Sequence, residues 1–261
     1  MKSNLKDVTF LILVRLDSIE RLENIIITVK FLCKYFDTNI YIRESSSHNN
    51  KILSDILKKK IKYEYIEDKD PILYRTKNYN EMIVQVSTPF LAIWDTDIVP
   101  EKKTIIQCVE QLRKRHVDAS YPYNGYCFNV SEIIREIFMD KEDICILHRH
   151  KNKMNLLYDQ ILYGGAIFIN RQTYIAIGME NEIHYGWGNE DFDRHYRLIG
   201  LNKKIFRAEG YLFHLSHPRG VNSRFANNVN MKTSKKEISM LQNSSQTEIL
   251  DYIKKNNKYS M

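Results

Sequence analysis

The first hundred residues alternate between short apolar runs and segments with helical periodicity. Strands are predicted at residues 9–14, 39–43, 62–66 and 89–94, and helices from Ser18 onward, over 51–60 and over 75–86. Such alternation is typical of parallel sheets, because each helix crosses back over the sheet to start the next strand. We therefore predict an α/β fold with a Rossmann-like, mostly parallel central sheet flanked by helices.

The rest of the chain is less regular. Further helices are predicted at 101–115 and 190–199, further strands at 166–170, 204–208 and 211–215, and a helical pattern in the tail from residue 233, which frays at its end. Residues 140–158 mix charges with little periodicity and are expected to be mobile. A chain of 261 residues buries one substantial core, so we predict a single domain.

Charge and cysteine content narrow the partners and the compartment. The 39 basic and 32 acidic residues give a net charge of +7, which suits phosphorylated ligands, anionic membranes or nucleic acid. The densest basic runs, Lys58–Lys60 and Lys151–Lys153, lack the aromatics of a nucleic-acid platform, so no nucleic acid is expected. Four scattered cysteines predict no disulfides, and no apolar run approaches the roughly 20 residues of a membrane span. We expect a cytoplasmic protein.

An acidic pair, Asp95 and Asp97, directly follows the apolar run at 89–94. Two carboxylates on one face of an extended segment suit a divalent cation, with one binding it and the other orienting a bound group. The Asp-x-Asp spacing alone is common on solvated loops. The preceding buried strand favours a site, because open α/β sheets bind ligands at the carboxyl ends of their strands.

Two further clusters contain residue types that carry chemistry. His214 and His217 follow a predicted strand and suit a metal that also accepts carboxylate oxygen; the alternative is one core and one surface histidine. Residues 186–193 place two glycines around Trp187 and then three carboxylates at a helix start. A carboxylate there can act as a general base. An acidic first turn that complements the helix dipole explains the carboxylates but not the glycines and Trp187.

These motifs resemble, in their order along residues 9–220, the β-1,4-galactosyltransferase-like enzymes of the GT-A fold. The resemblance rests on 14–17 with Arg21, the Arg-x-Lys helix start at 75–77, Asp95-Thr96-Asp97, the glycine pair 164–165 and the Trp-Gly-x-Glu-Asp motif at 187–191. Asn189 and Phe192 depart from the residues typical of animal members. The chain is therefore similar to a bacterial-type form.

The resemblance implies a role for each matching residue. Asp97, His214 and His217 would bind the metal, Trp187 would face donor and acceptor, Glu190 would bind acceptor hydroxyls, and Asp191 would be the general base. The implied donor site comprises Val14, Arg15, Asp17, Arg21, Arg75, Lys77, Asp95, Asp97, Gly164, Gly165 and Trp187. Leu162 stands where galactose-selective members carry a bulky tyrosine. The smaller leucine would leave room for N-acetylgalactosamine.

The resemblance also implies an activity: an inverting glycosyltransferase with Mn²⁺ or Mg²⁺ as cofactor. It would move a hexose or N-acetylhexosamine, with galactose or N-acetylgalactosamine favoured, from a UDP-sugar to a saccharide acceptor. The net charge of +7 suits the anionic inner face of the membrane, where a lipid-linked glycan acceptor in surface polysaccharide synthesis would be found. Residues 1–100 would form the nucleotide-binding half, 101–220 the acceptor and metal half, and 221–261 a helical tail. The alternatives are a UDP-sugar hydrolase and a non-catalytic sugar-nucleotide-binding protein.

Overall fold

The computed structural model describes residues 1–57, 61–256 and 258–259. Its strands are β1 (Ser3–Val14), β2 (Phe36–Ser46), β3 (Lys62–Glu67), β4 (Phe90–Trp94), β5 (Ile98–Pro100), β6 (Ala119–Tyr121), β7 (Cys127–Val130), β8 (Asn155–Leu156), β9 (Ala166–Asn170), β10 (Ile205–Arg207) and β11 (Leu212–Leu215). Its α-helices are α1 (Ile19–Tyr35), α2 (Ile52–Ile56), α3 (Arg75–Val84), α4 (Lys102–Arg113), α5 (Glu132–Lys141), α6 (Ile144–Arg149), α7 (Arg171–Ala176), α8 (Glu190–Gly200), α9 (Asn228–Asn243) and α10 (Gln246–Asn256).

A central seven-stranded sheet confirms the predicted fold class. Its strand order is β10-β6-β9-β4-β1-β2-β3, and every neighbouring pair is parallel except the two pairs that β9 makes. A second sheet of four short strands, β5-β11-β7-β8, was not predicted. Its strand β11 corresponds to the strand predicted at 211–215, whereas the other three have two to four residues, too few for a period-2 pattern to register.

The sheet is stable because its central strands are apolar on both faces. Every residue of β4 is buried, as are the last seven of β1. Phe10, Trp94 and Phe168 pack edge to face, with ring centroids 5.1–5.6 Å apart. Ser18 caps α1 by accepting a hydrogen bond from the Arg21 backbone N–H, so the helix begins directly after the loop that leaves β1.

Several element boundaries differ from the sequence prediction. Residues 140–158, where the sequence shows little periodicity, contain the end of α5, all of α6, a 3₁₀ turn at Lys151–Lys153 and β8. Asp143 caps α6, which spans six residues and is too short to show periodicity. The predicted helix at 51–60 is Ile52–Ile56, and residues 58–60 lie outside the described part. The tail forms α9 and α10, and residues 257, 260 and 261 are likewise outside it.

No helix in the described ranges is long and apolar enough to cross a membrane.

Candidate active site

The site lies where β1 and β4 end and β9 begins. Because β9 runs antiparallel to β4, Ala166 at its start is paired with Trp94 at the end of β4. The glycine pair before β9 therefore lies beside the acidic segment after β4, and the Asp95 backbone N–H donates to the Gly165 carbonyl at 2.8 Å. This pairing explains how two motifs about seventy residues apart meet at one sheet edge.

The second sheet brings the two histidines to Asp97. Strand β11 is antiparallel to β5, so His214 is paired with Ile98, next to Asp97 along the chain. The Asp97 carboxylate lies 3.1 Å from His217 Nε2 and 4.0 Å from His214 Nε2, and one ligand atom from each residue falls within 4.8 Å of the others. Burial alone would raise the pKa of Asp97, but the histidines and Arg21 outweigh burial and hold that pKa well below its ordinary range.

The hydrogen bonds of the imidazoles are consistent with a metal site. His217 Nδ1 lies 2.8 Å from the Pro218 carbonyl and His214 Nδ1 lies 3.0 Å from the Asn129 side-chain oxygen. The Arg21 guanidinium also lies 3.3 Å from His217 Nδ1, and the Nε2 atoms of both imidazoles lie on the side of Asp97. Burial lowers the pKa of His214 to about 4, which keeps it neutral near pH 7. One carboxylate oxygen and two imidazole nitrogens fit a first-row divalent cation such as Mn²⁺.

Arg75 joins the acidic segment to the start of α8. Its guanidinium donates to Asp95 at 2.7 Å and to Glu190 at 3.1 Å. The other Glu190 oxygen accepts from the Gly188 backbone N–H at 2.8 Å. Burial raises the pKa of Glu190, and the neighbouring Asp191 charge adds to that effect. The arrangement fixes the Glu190 carboxylate at the cleft wall.

Asp191 faces the glycine pair from the first turn of α8. Its carboxylate is ion-paired with Arg194, which also pairs with the buried Glu180. A Cβ built on Gly164 would overlap the Asp191 carboxylate, so the chain approaches this group closely because residue 164 is glycine. Burial raises the pKa of Asp191, while Arg194 opposes that rise. A carboxylate held in this way is suited to accept a proton.

Trp187 stands between two glycines with left-handed backbone. Gly186 has φ +84° and Gly188 has φ +117°, and a side chain at Gly188 would meet the Phe225 ring at 2.6 Å. The Trp187 and Phe225 rings meet edge to face at 5.8 Å. Sequence reasoning missed Phe225, because the segment after His217 has no periodicity to mark it.

The loop that follows β1 supplies two basic side chains, Arg15 and Arg21, to the cleft lining. Arg15 donates to the carbonyls of Ser45 and Asp70 at 2.8 and 2.6 Å, and Arg21 pairs with Asp17 at 2.8 Å. Lys77 differs from the other candidate residues. Its side chain is 53% exposed, its ammonium lies 3.9 Å from Glu81, and it does not line the cleft.

One cleft of about 1370 Å³, continuous with solvent, contains the remaining candidates. Its lining includes Val14, Arg15, Asp17, Arg21, Arg75, Asp95, Asp97, Gly164, Gly165, Trp187, Glu190, Asp191, His214 and His217. The lining also includes residues that sequence reasoning did not assign to the site, among them Tyr158, Tyr163, Phe192, Arg219 and Phe225.

Comparison with known proteins agrees with this geometry. Residues 146–218 match a family model described as the N-terminal domain of galactosyltransferase. No curated protein matches the sequence. A structure of GalNAc-T7 with UDP, GalNAc and Mn²⁺ superposes with a TM-score of 0.63 at 11% identity, over 96% of this chain and 54% of that one. The chain thus spans about half the length of GalNAc-T7.

A second solved structure supports the same architecture. The catalytic domain of Drosophila β1,4-galactosyltransferase 7, in complex with xylobiose, superposes with a TM-score of 0.51 at 14% identity, over 88% of this chain and 79% of that one. At such identities the likeness concerns the fold. The chain therefore has the GT-A fold of the nucleotide-diphospho-sugar transferases, and part of it matches the galactosyltransferase family model.

Proposed function

We propose that the chain is a metal-dependent, inverting glycosyltransferase that transfers a sugar from a UDP-sugar to a saccharide acceptor. The observation that carries this proposal is a cleft lined both by a metal-type triad and by the half-buried Asp191 carboxylate, which lies against Gly164. The family match and the shared fold support it. The UDP, GalNAc and Mn²⁺ of GalNAc-T7 and the xylobiose of the Drosophila enzyme are ligands of the same kinds.

Asp97, His214 and His217 would hold the cation, with Mn²⁺ as the first candidate and Mg²⁺ as the second. A divalent cation neutralises the charge that develops on the diphosphate as it leaves. Arg15 and Arg21 also line the cleft, with Arg21 3.8 Å from Asp97, and would add positive charge toward the diphosphate. Asp95 does not belong to the triad, and its carboxylate is held by Arg75.

Asp191 would act as the general base. It accepts the proton of the acceptor hydroxyl, whose oxygen then forms a bond to the anomeric carbon of the donor. The bond from that carbon to the diphosphate oxygen breaks on the opposite face, and its electron pair leaves with UDP. Attack opposite the leaving group inverts the anomeric configuration. Glu190 and Trp187 line the cleft beside Asp191 and would orient the acceptor.

The finer identity of the substrates belongs to the same proposal. Leu162 lines the cleft two residues before the glycine pair, where a small side chain leaves room for an N-acetyl group, so galactose and N-acetylgalactosamine are the donors we favour. The net charge of +7 suits a lipid-linked glycan on an anionic membrane, in surface polysaccharide synthesis in the cytoplasm. Failure to bind anionic liposomes at moderate salt would contradict the membrane association.

A panel of UDP-sugars (Gal, GalNAc, Glc, GlcNAc) tests the proposal, with UDP release measured in Mn²⁺ or EDTA, with and without saccharide acceptors. We expect release from one donor that needs both metal and acceptor. Asp97→Ala should abolish it together with Mn²⁺-dependent UDP binding, and Asp191→Asn should abolish turnover but keep that binding. Asp37→Ala, a change at an exposed carboxylate on β2, is the control and should change neither.

The outcomes also separate the two alternatives. Equal release without any acceptor would indicate a UDP-sugar hydrolase. Metal-dependent UDP binding with no turnover in any donor and acceptor combination would favour a sugar-nucleotide-binding protein. Absence of metal-dependent UDP binding would refute the proposal itself.

A further inference from the structure

The acceptor side of the cleft carries aromatic side chains that the proposed mechanism does not use. Phe192 directly follows Asp191 in the first turn of α8, is half-buried and lines the cleft. Tyr163, directly before the glycine pair, is also half-buried and lines it. The two rings meet edge to face, with centroids 5.2 Å apart and planes at 86°. An apolar wall therefore begins next to the proposed base.

This wall is held rigidly from behind. Tyr163 stacks on His195 with ring centroids 3.6 Å apart and planes within 17°. The Tyr121 hydroxyl lies 3.1 Å from His195 Nδ1, and the Arg207 guanidinium lies 4.3 Å from the Tyr121 ring centroid. Rings locked in this way lose little further entropy when a ligand binds, which favours a binding surface.

The wall is uncharged where it faces the ligand. Burial lowers the pKa of His195 to about 3, and the charges of Arg207 and Arg194 act in the same direction. The imidazole stacked beneath Tyr163 is therefore neutral near pH 7. A carboxylate or phosphate on the acceptor would find no opposite charge on the rings themselves, whereas an apolar ring face would find a matching surface.

Helical geometry continues the surface away from Asp191. Tyr196 lies one turn after Phe192, with ring centroids 6.5 Å apart, and Ile199, which is 51% exposed, follows. The opposite face of α8 is occupied by Asp193, which is fully buried and paired with Arg197. Phe192 thus begins an outward-facing apolar stripe on α8. The stripe starts in the first turn of the helix, which also carries the proposed base Asp191.

We propose that Phe192, braced by Tyr163, is a platform on which the ring next to the glycosylated acceptor sugar stacks. This inference rests on the proposed function and specifies its acceptor class. When the attacking hydroxyl is at Asp191, the remainder of the acceptor extends past the adjacent residue of the same helical turn. Pyranose C–H faces and aryl groups both stack on an aromatic ring, so the platform selects acceptors of two or more rings over single sugars.

Paired acceptor glycosides test the platform. Methyl and 4-nitrophenyl β-glycosides of Glc, GlcNAc, Gal and Xyl are compared in wild type, Phe192→Ala, Phe192→Leu and Phe192→Tyr. One stacked ring contributes about 1–1.5 kcal/mol, so the aryl glycoside should have a kcat/KM about five- to tenfold above that of the methyl glycoside. Phe192→Ala and Phe192→Leu should remove that preference through the acceptor KM, while Phe192→Tyr should retain it.

Two controls separate stacking from damage to the fold. Mn²⁺-dependent UDP binding should stay within about twofold in every Phe192 variant, because the donor side does not contact this ring. Ile133→Ala, an exposed apolar position on α5 outside the cleft lining, should leave the rates with both glycosides unchanged. Equal loss on methyl and aryl glycosides in Phe192→Ala, or no aryl preference in wild type, overturns the platform while leaving the transferase proposal intact. Absence of transfer together with absence of UDP binding overturns both.

Discussion

Gly164→Ala gives a direct test of the role of Asp191. Gly164 does not have the left-handed backbone of its neighbour Gly165, so alanine introduces no backbone strain. The new Cβ would stand 2.9 Å from the Asp191 carboxyl carbon, where ordinary contact begins at 3.4 Å. The carboxylate must therefore retreat by at least about half an ångström, and its nearer oxygen by more.

A displacement of that size matters for catalysis far more than for folding. A misplacement of about 1 Å in a reacting group can lower turnover about 100-fold. We therefore expect kcat to fall by about 10- to 100-fold in Gly164→Ala. Donor binding should change little, because the three atoms nearest to the new Cβ all belong to Asp191 and none to the metal triad. The carboxylate is 27% exposed, so it can move into the cleft without unfolding the chain.

The assay is acceptor-dependent UDP release, followed with Mn²⁺-dependent UDP binding and thermal unfolding on the same preparations. Gly220→Ala is the matched control, because no atom lies within 4 Å of its new Cβ. It should keep turnover within about twofold. Wild-type turnover in Gly164→Ala would refute the reasoning, since the carboxylate would then be either displaced without consequence or not the base.

Three further predictions concern the charges and hydrogen bonds around α8. Arg75→Met leaves two carboxylates unpaired and should lower the free energy of unfolding by up to about 3 kcal/mol in urea titrations; an unchanged midpoint would contradict it. Ser234→Ala removes a hydroxyl bonded to His184 and to the Gly188 carbonyl and should cost about 1–3 kcal/mol by the same titration, whereas exposed Ser239→Ala should cost under about 0.5. Because burial raises the pKa of Asp191 and its protonated form cannot take a proton, kcat should fall as pH drops through a midpoint above 3.8; a midpoint below 3.8 would contradict the base assignment.

Much of the fold and most of the site were predictable from local signals. The strands β1, β2, β3 and β4 are long or apolar enough to show in the sequence, and their carboxyl ends define the sheet edge. Fourteen of the fifteen candidate residues line one cleft. Most of them are charged residues, histidines or glycines within short sequence motifs. Such motifs identify candidate residues even when the distances between them in the fold are unknown.

The features that escaped prediction depend on contacts between distant segments. Strand β5 has three residues and forms only by pairing with β11, more than a hundred residues later. Arg194 was placed on a predicted helix, but its partner Glu180 lies on a separate loop. Lys77 fits the Arg-x-Lys pattern, yet its helical position turns it toward Glu81. In each case the deciding information is which segment packs nearby, and a local pattern does not contain it.

The charges of the cleft lead to a last prediction, that donor and metal bind cooperatively. Asp17, Asp95, Asp97, Glu190 and Asp191 all line the cleft, so a diphosphate entering without a cation meets five carboxylates. Arg75 and Arg194 pair with three of them, and Arg21 pairs with Asp17 and lies 3.8 Å from Asp97, so much of the local positive charge is already matched by these carboxylates. A divalent cation bound at Asp97 would make the net charge around that carboxylate positive. It should therefore favour binding of the diphosphate.

Thermodynamic linkage makes this effect reciprocal. Mn²⁺ should tighten UDP binding by the same factor by which UDP tightens Mn²⁺ binding, and couplings of this kind are typically about 5- to 150-fold. Calorimetric titrations in both orders, corrected for Mn²⁺ binding to free UDP, measure the two factors. His217→Ala should weaken both equally, since it removes a ligand from the shared triad. If UDP bound with the same affinity with and without Mn²⁺, the diphosphate would have to find its compensation in Arg15 and Arg21 instead, and the triad would have no part in donor binding.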